Sequence, residues 1–228
     1  MNLKTRMIEF QSSGGATPGY LAMPSDDAPH PGIIVIQEWW GLVPHIKELA
    51  ERFAHEGFIA LAPDLYHGQV STEPDEARKL AMALDRARAV AEIQAAAKYL
   101  IGLEAVAPKK IGTVGFCMGG GLSLSTAAQG QDIGAAIAFY GRPLDANDVA
   151  TLRVPVLGLY GELDQGLPVE AVRAFKNELR KWNVPHEVII YPNAQHAFFN
   201  NTRPQAYHAI AARDAWSRSL AWFRRYLV

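Results

Sequence analysis

The sharpest chemical signal in the sequence is Gly115-Phe116-Cys117-Met118-Gly119. It has the G-x-nucleophile-x-G form of a nucleophile elbow, with cysteine in place of serine. An elbow is a strained strand-to-helix turn. A Cβ two residues to either side of the nucleophile would crowd the neighbouring backbone, and glycine removes it. The turn lifts the sulfur above a sheet and sets it at a helix N-terminus, where the dipole and free N–H groups favour a thiolate. A lone cysteine is more often a small buried hydrophobe. The glycine spacing reverses that preference here.

A nucleophile needs a base and a group that orients the base. On elbow scaffolds the chain order is nucleophile, acid, histidine. Asp164 ends Gly161-Glu162-Leu163-Asp164, and His196 ends Pro192-Asn193-Ala194-Gln195-His196. Taken singly, Asp164 reads equally as a turn or cap residue ahead of Pro168, and His196 as a surface loop histidine. Together and in order they read as base and orienting acid for Cys117. Glu38 follows the apolar run Pro31–Gln37 and is flanked by Trp39, Trp40 and Gly41. A carboxylate beside apolar rings is costly without a partner. It reads as an acid–base partner of the thiol, or as a carboxylate bonded to a neighbouring helix start. The backbone N–H groups of Met118 and Trp39 are the expected oxyanion hole.

All these residues follow short apolar runs that read as strands. Such runs are Pro31–Gln37, Phe58–Ala62, Lys110–Gly115, Ala135–Tyr140, Pro155–Tyr160 and Glu187–Tyr191. Between them lie helical patterns. Val43, Ile46, Ala50 and Phe53 form one stripe, with Pro44 at the helix start. Pro74–Gly102 is Ala-rich, with Val90, Ile93, Ala97 and Leu100 on one face. A helical segment runs from the glycine cluster to about Gln129. Val172, Phe175, Leu179 and Trp182 make another stripe, and Trp216, Leu220, Phe223 and Leu227 a last one. Apolar strands alternating with amphipathic helices imply an α/β fold, a mostly parallel sheet of about eight strands with helices on both faces. Two early runs, near Thr5–Gln11 and Gly19–Met23, have no helix between them and should form an antiparallel hairpin at one edge. The whole of 1–228 then reads as one domain.

Composition narrows the function classes. Lys plus Arg number 22 against 23 Asp plus Glu, which argues against a strongly basic nucleic-acid footprint. One cysteine forbids an internal disulfide and suits a reducing, cytoplasmic setting. The seven histidines show no H-E-x-x-H, and the glycines show no dinucleotide or P-loop spacing. Ile111 to Gln131 carries no charge over a membrane-span length, but its glycines and hydroxyls suit strand, elbow and helix better than a span. No nucleic-acid or membrane partner is expected, and the state expected is a monomer.

With these residues in place, the chain resembles the dienelactone hydrolase (carboxymethylenebutenolidase) family of the α/β-hydrolase superfamily. The marks are Gln37-Glu38-Trp39-Trp40-Gly41, Ala62-Pro63-Asp64-Leu65-Tyr66, Gly115-Phe116-Cys117-Met118-Gly119-Gly120, Tyr160-Gly161-Glu162-Leu163-Asp164 and His196-Ala197-Phe198-Phe199-Asn200. The resemblance implies an α/β-hydrolase fold and cofactor-free hydrolysis of small lactones or activated esters. Cys117 would be the nucleophile, His196 the base and Asp164 its partner, with Glu38 controlling the ionisation of Cys117. Trp40, Tyr66, Arg78, Tyr140 and Phe198 are the expected pocket wall. One departure stands out. Family members hold a substrate carboxylate with an arginine soon after the histidine, whereas here Arg203 is the first arginine. A thioesterase or peptidase on the same scaffold, or a non-catalytic binding module, are the competing readings.

Overall fold

The computed structural model describes residues 2–228. Its first two strands, β1 (Leu3–Ser12) and β2 (Gly15–Pro24), form the antiparallel edge hairpin expected from the sequence. Then come β3 (Gly32–Ile36), α1 (Pro44–His55), β4 (Ile59–Pro63), α2 (Pro74–Ala83), α3 (Arg86–Gly102) and β5 (Ile111–Phe116). They are followed by α4 (Met118–Gln129), β6 (Ile133–Phe139), a single turn α5 (Ala146–Val149), β7 (Val156–Gly161), α6 (Val169–Lys181), β8 (His186–Tyr191) and α7 (Ala209–Leu227). The eight strands make one sheet in the order β1-β2-β4-β3-β5-β6-β7-β8. β2 is antiparallel to β1 and β4, and every pairing from β4 to β8 is parallel.

Strand alternation divides the core into two layers. Ile33, Val35, Val114 and Phe116 face α1 and α7, where Ile46, Leu49, Phe53 and Phe223 meet them. Ile34, Ile36, Ile59 and Ile111 face the other way, onto Val90, Ile93 and Leu100 of α3 and Leu122 of α4. β3, β4, β5 and β7 are buried along their whole length. That is why they read as continuous apolar runs and not as alternating ones.

Two details depart from the pattern reading. The Ala-rich stretch 74–102, of which the sequence shows one helical face, holds two helices. Asp85 breaks it by capping α3, accepting from the N–H groups of Ala87 and Arg88 at 2.9 and 3.1 Å. The turn α5 carries too little periodicity to be seen in sequence. The charge-free stretch is β5, the elbow and α4, and no helix of the described residues is long and apolar enough to cross a membrane.

The register sets up the site. Ile36 pairs with Gly115, and Phe116 pairs with Phe139. The residues that leave β3, β5 and β6, among them Glu38, Cys117 and Tyr140, therefore emerge side by side at the carboxyl ends of the central strands. Ligands gather at this end of an open parallel sheet.

Candidate active site

Cys117 occupies the turn between β5 and α4, with φ 55° and ψ −116°. A side chain in that region of the map costs about 1–3 kcal/mol, and such strain persists only where surrounding contacts impose it. The contacts here are backbone ones. The Cys117 N–H donates to Phe139 O at 3.0 Å, and its carbonyl accepts from the Gly120 N–H at 3.0 Å. The flanking glycines let the turn close. A Cβ on Gly115 would fall 1.9 Å from Gly119 O, and one on Gly119 would fall 2.4 Å from Gln37 O. Gly115→Ala should therefore lower unfolding free energy by about 3 kcal/mol or more, because only backbone movement relieves the clash. Urea denaturation of the variant checks this. The Cys117 thiol is free and partly exposed. The N–H groups of Met118 and Trp39 make no backbone hydrogen bond among the described residues.

The loops after β7 and β8 are tied together. The N–H of Glu162 donates to Tyr191 O at 3.0 Å, and that of Leu163 to Ala194 O at 2.8 Å. This brings Asp164 against His196, with Oδ2 and Nδ1 2.6 Å apart. Asp164 is buried, and its other oxygen accepts from the N–H groups of Gly166 and Leu167 at 2.9 and 3.1 Å. It is thus both the turn residue and the histidine partner, one role for each oxygen. Burial lowers the pKa of His196. Hydrogen bonds to Asp164 and Cys117, with their negative charges, outweigh that and raise it from 6.5 to about 10. Nδ1 is committed to Asp164, which leaves Nε2 for chemistry.

Glu38 is almost fully buried. Its Oε1 accepts from Tyr140 O–H at 3.3 Å and its Oε2 from Asn200 Nδ2 at 2.7 Å. Burial raises its pKa, against the Asn200 hydrogen bond, the His196 charge, the Tyr140 hydrogen bond and the Arg203 charge. Asn200 Oδ1 in turn accepts from the Thr202 N–H at 3.0 Å and Oγ1 at 2.6 Å. Tyr140 has a positive φ of 39°, and its ring centroid is 5.0 Å from that of His196.

Comparison with known proteins shows the family. The model of the dienelactone hydrolase family matches residues 17–227. The chain belongs to that family. It is 37% identical over 232 residues to the protein usf of Aquifex pyrophilus, covering 97% of this chain and 99% of that one. It is 36% identical to a Methylorubrum extorquens protein provisionally named a carboxymethylenebutenolidase, covering 96% of this chain and 80% of that one. A Klebsiella pneumoniae structure, provisionally named a dienelactone hydrolase, superposes with TM-score 0.92 at 32% identity over 99% and 100% of the two chains. A dienelactone hydrolase-like promiscuous phosphotriesterase from metagenomic libraries gives TM-score 0.91 at 26% identity over the full length of both.

In this dienelactone hydrolase family member a cleft of about 920 Å³ opens onto Cys117, Met118, Tyr140 and His196. Of the expected wall, Tyr140 lines this cleft. Tyr66 stands beside Met118, its hydroxyl 3.5 Å from Sδ, and burial and the Cys117 charge raise its pKa. Trp40 is buried, with the Arg203 guanidinium 4.5 Å from its ring centroid. Neither Tyr66 nor Trp40 lines the cleft itself, and two further expectations are corrected. Arg78 does not reach the cleft. It lies exposed on α2, 3.9 Å from Asp75, because that helix buries only Ala77 and turns Arg78 to solvent. Phe198 is fully buried and packs under the site against Tyr140 and Tyr191, since the turn at Ala197 (φ 61°) folds the ring into the core. Arg142 and Arg86 line the cleft instead, and no sequence motif marks them. The sequence pattern assigns no role to Asn200 either. A buried Glu38 in need of a donor was the signal that could have found it.

Proposed function

We propose that the chain is a cysteine-dependent hydrolase of lactones or activated esters. The observation that carries this is the 2.6 Å bond from His196 to Asp164 beside a cysteine on a strained elbow. In this reading the Cys117 sulfur attacks the ester carbonyl carbon. The carbonyl oxygen takes the negative charge, and the N–H groups of Met118 and Trp39 receive it. The C–O bond to the leaving group breaks, His196 Nε2 protonates the departing oxygen, and a thioester to Cys117 remains. His196, now neutral, takes a proton from water. The hydroxide attacks the thioester, and the thiolate leaves with the acid as product.

Glu38 enters this reading as a positioning group. Both its oxygens are engaged by Tyr140 and Asn200, so it braces the cleft wall beside the sulfur. A thiol nucleophile suits good leaving groups, such as enolates and phenolates, better than amines. The test is a panel of lactone, aryl ester, thioester and peptide substrates, assayed with wild-type and Cys117→Ser protein. Turnover of lactones and aryl esters that collapses in Cys117→Ser supports the proposal. Peptide or thioester turnover at higher kcat/KM than either would overturn it.

A further inference from the structure

We propose that a second cavity, on the other side of the His196 loop, is a binding site for a small oxyanion, phosphoryl or carboxylate. The cavity holds about 250 Å³ and lies between α1, the loop after β8 and the start of α7. It shares no lining residue with the thiol cleft. Its lining brings together Arg52, Arg213, Asn201 and Tyr207, with Phe199 and Trp216 as apolar walls and no carboxylate.

Arg52 is the anchor. Its guanidinium lies 4.3 Å from the Trp216 ring centroid and 5.4 Å from that of Phe199. Stacking uses the face of the guanidinium and leaves its N–H edge for an acceptor. Nearby arginines already have theirs. Arg218 pairs with Asp214 and Glu187, and Arg224 with Glu56. Among the described residues neither Arg52 nor Arg213 takes part in an ion pair of this kind. Glu48, exposed one turn before Arg52 on α1, adds a favourable field and lies beyond ion-pair distance.

Half-burying a guanidinium without a counter-charge is unfavourable, and burial pulls the Arg52 pKa down. A bound oxyanion reverses that cost. The Asn201 amide and the Tyr207 hydroxyl add neutral donors on the same cavity. Ala209, the first residue of the 19-residue α7, also borders it, so the positive end of that helix, where His208 already accepts from the Ala211 N–H, lies beside the same space. A phosphate or carboxylate with a small organic body fits this volume.

Thermal unfolding in graded inorganic phosphate tests the site, with sodium chloride holding ionic strength constant and malonate as a parallel dicarboxylate series. A saturable rise in Tm is expected. Arg52→Met and Arg213→Glu should each weaken the apparent affinity about tenfold or more, the loss of a charge-assisted hydrogen bond. The larger response, phosphate or malonate, assigns the ligand as phosphoryl or carboxylate. The proposal fails if chloride alone reproduces the rise, or if Arg213→Glu responds as wild type does. Arg213 is exposed, so that variant decides the matter even if Arg52→Met does not fold. Hydrolysis is not the readout, so neither result bears on the thiol site.

Discussion

Cys117→Ala is expected to lower kcat/KM on an activated aryl ester or lactone by about 10⁴-fold or more, while leaving the fold intact. What survives should be the modest catalysis of oxyanion donors and binding without a nucleophile. Alanine occupies the same strained backbone as cysteine, so the strain at the elbow should be unchanged. Cys117→Gly makes a sharper comparison. At φ 55° glycine relieves strain that any Cβ creates. That variant should be equally inactive yet more stable than Cys117→Ala by about 1 kcal/mol. An inactive and stabilised protein is the signature of strain held for function. Steady-state kinetics paired with urea denaturation measures both quantities. If Cys117→Ala keeps more than about a tenth of wild-type activity, the nucleophile is elsewhere.

The elbow was legible in sequence because its requirement is steric and local. Gly115 and Gly119 must lack a Cβ, whatever the rest of the chain does. Asp164 and His196 were legible because order along the chain and position after strands are topological. The sheet was legible from β3, β4 and β5, whose double-sided burial leaves apolar runs. Side-chain direction in loops and short helices was not legible. Nothing in Pro74–Ala83 says that Arg78 points to solvent, since one buried alanine sets the face of α2. Nothing in His196–Asn200 says that Phe198 turns inward while Asn200 reaches Glu38. That choice follows from a positive φ at Ala197 and from a carboxylate 162 positions away in sequence. Such contacts are decided by packing across the sheet ends, which local pattern does not encode.

Asp164→Asn should be nearly as damaging as loss of the sulfur, for a different reason. The asparagine carbonyl can keep the turn, accepting from the Gly166 and Leu167 N–H groups as Oδ1 does now. The turn itself should therefore hold, and the stability lost should be the part tied to the charge on His196. The other position becomes an amide NH₂, which donates to His196 Nδ1 where a carboxylate accepted from it. The ring is then fixed as the Nε2–H tautomer, which can no longer take a proton at Nε2. Loss of about 10³–10⁴-fold in kcat is expected. The pH behaviour follows with it. The Asp164 hydrogen bond and charge are two of the forces holding His196 near 10, and burial works against them. Removing them should bring the imidazole down from about 10. In the wild type the raised histidine adds stability that is complete below about 6.5 and is lost as pH climbs through about 10. In Asp164→Asn that loss should begin at lower pH and be smaller. Titration of the His196 ring protons by NMR, beside urea unfolding across pH 6–11, reads the shift directly. An unchanged His196 titration would mean that Asp164 does not hold the charge on the ring.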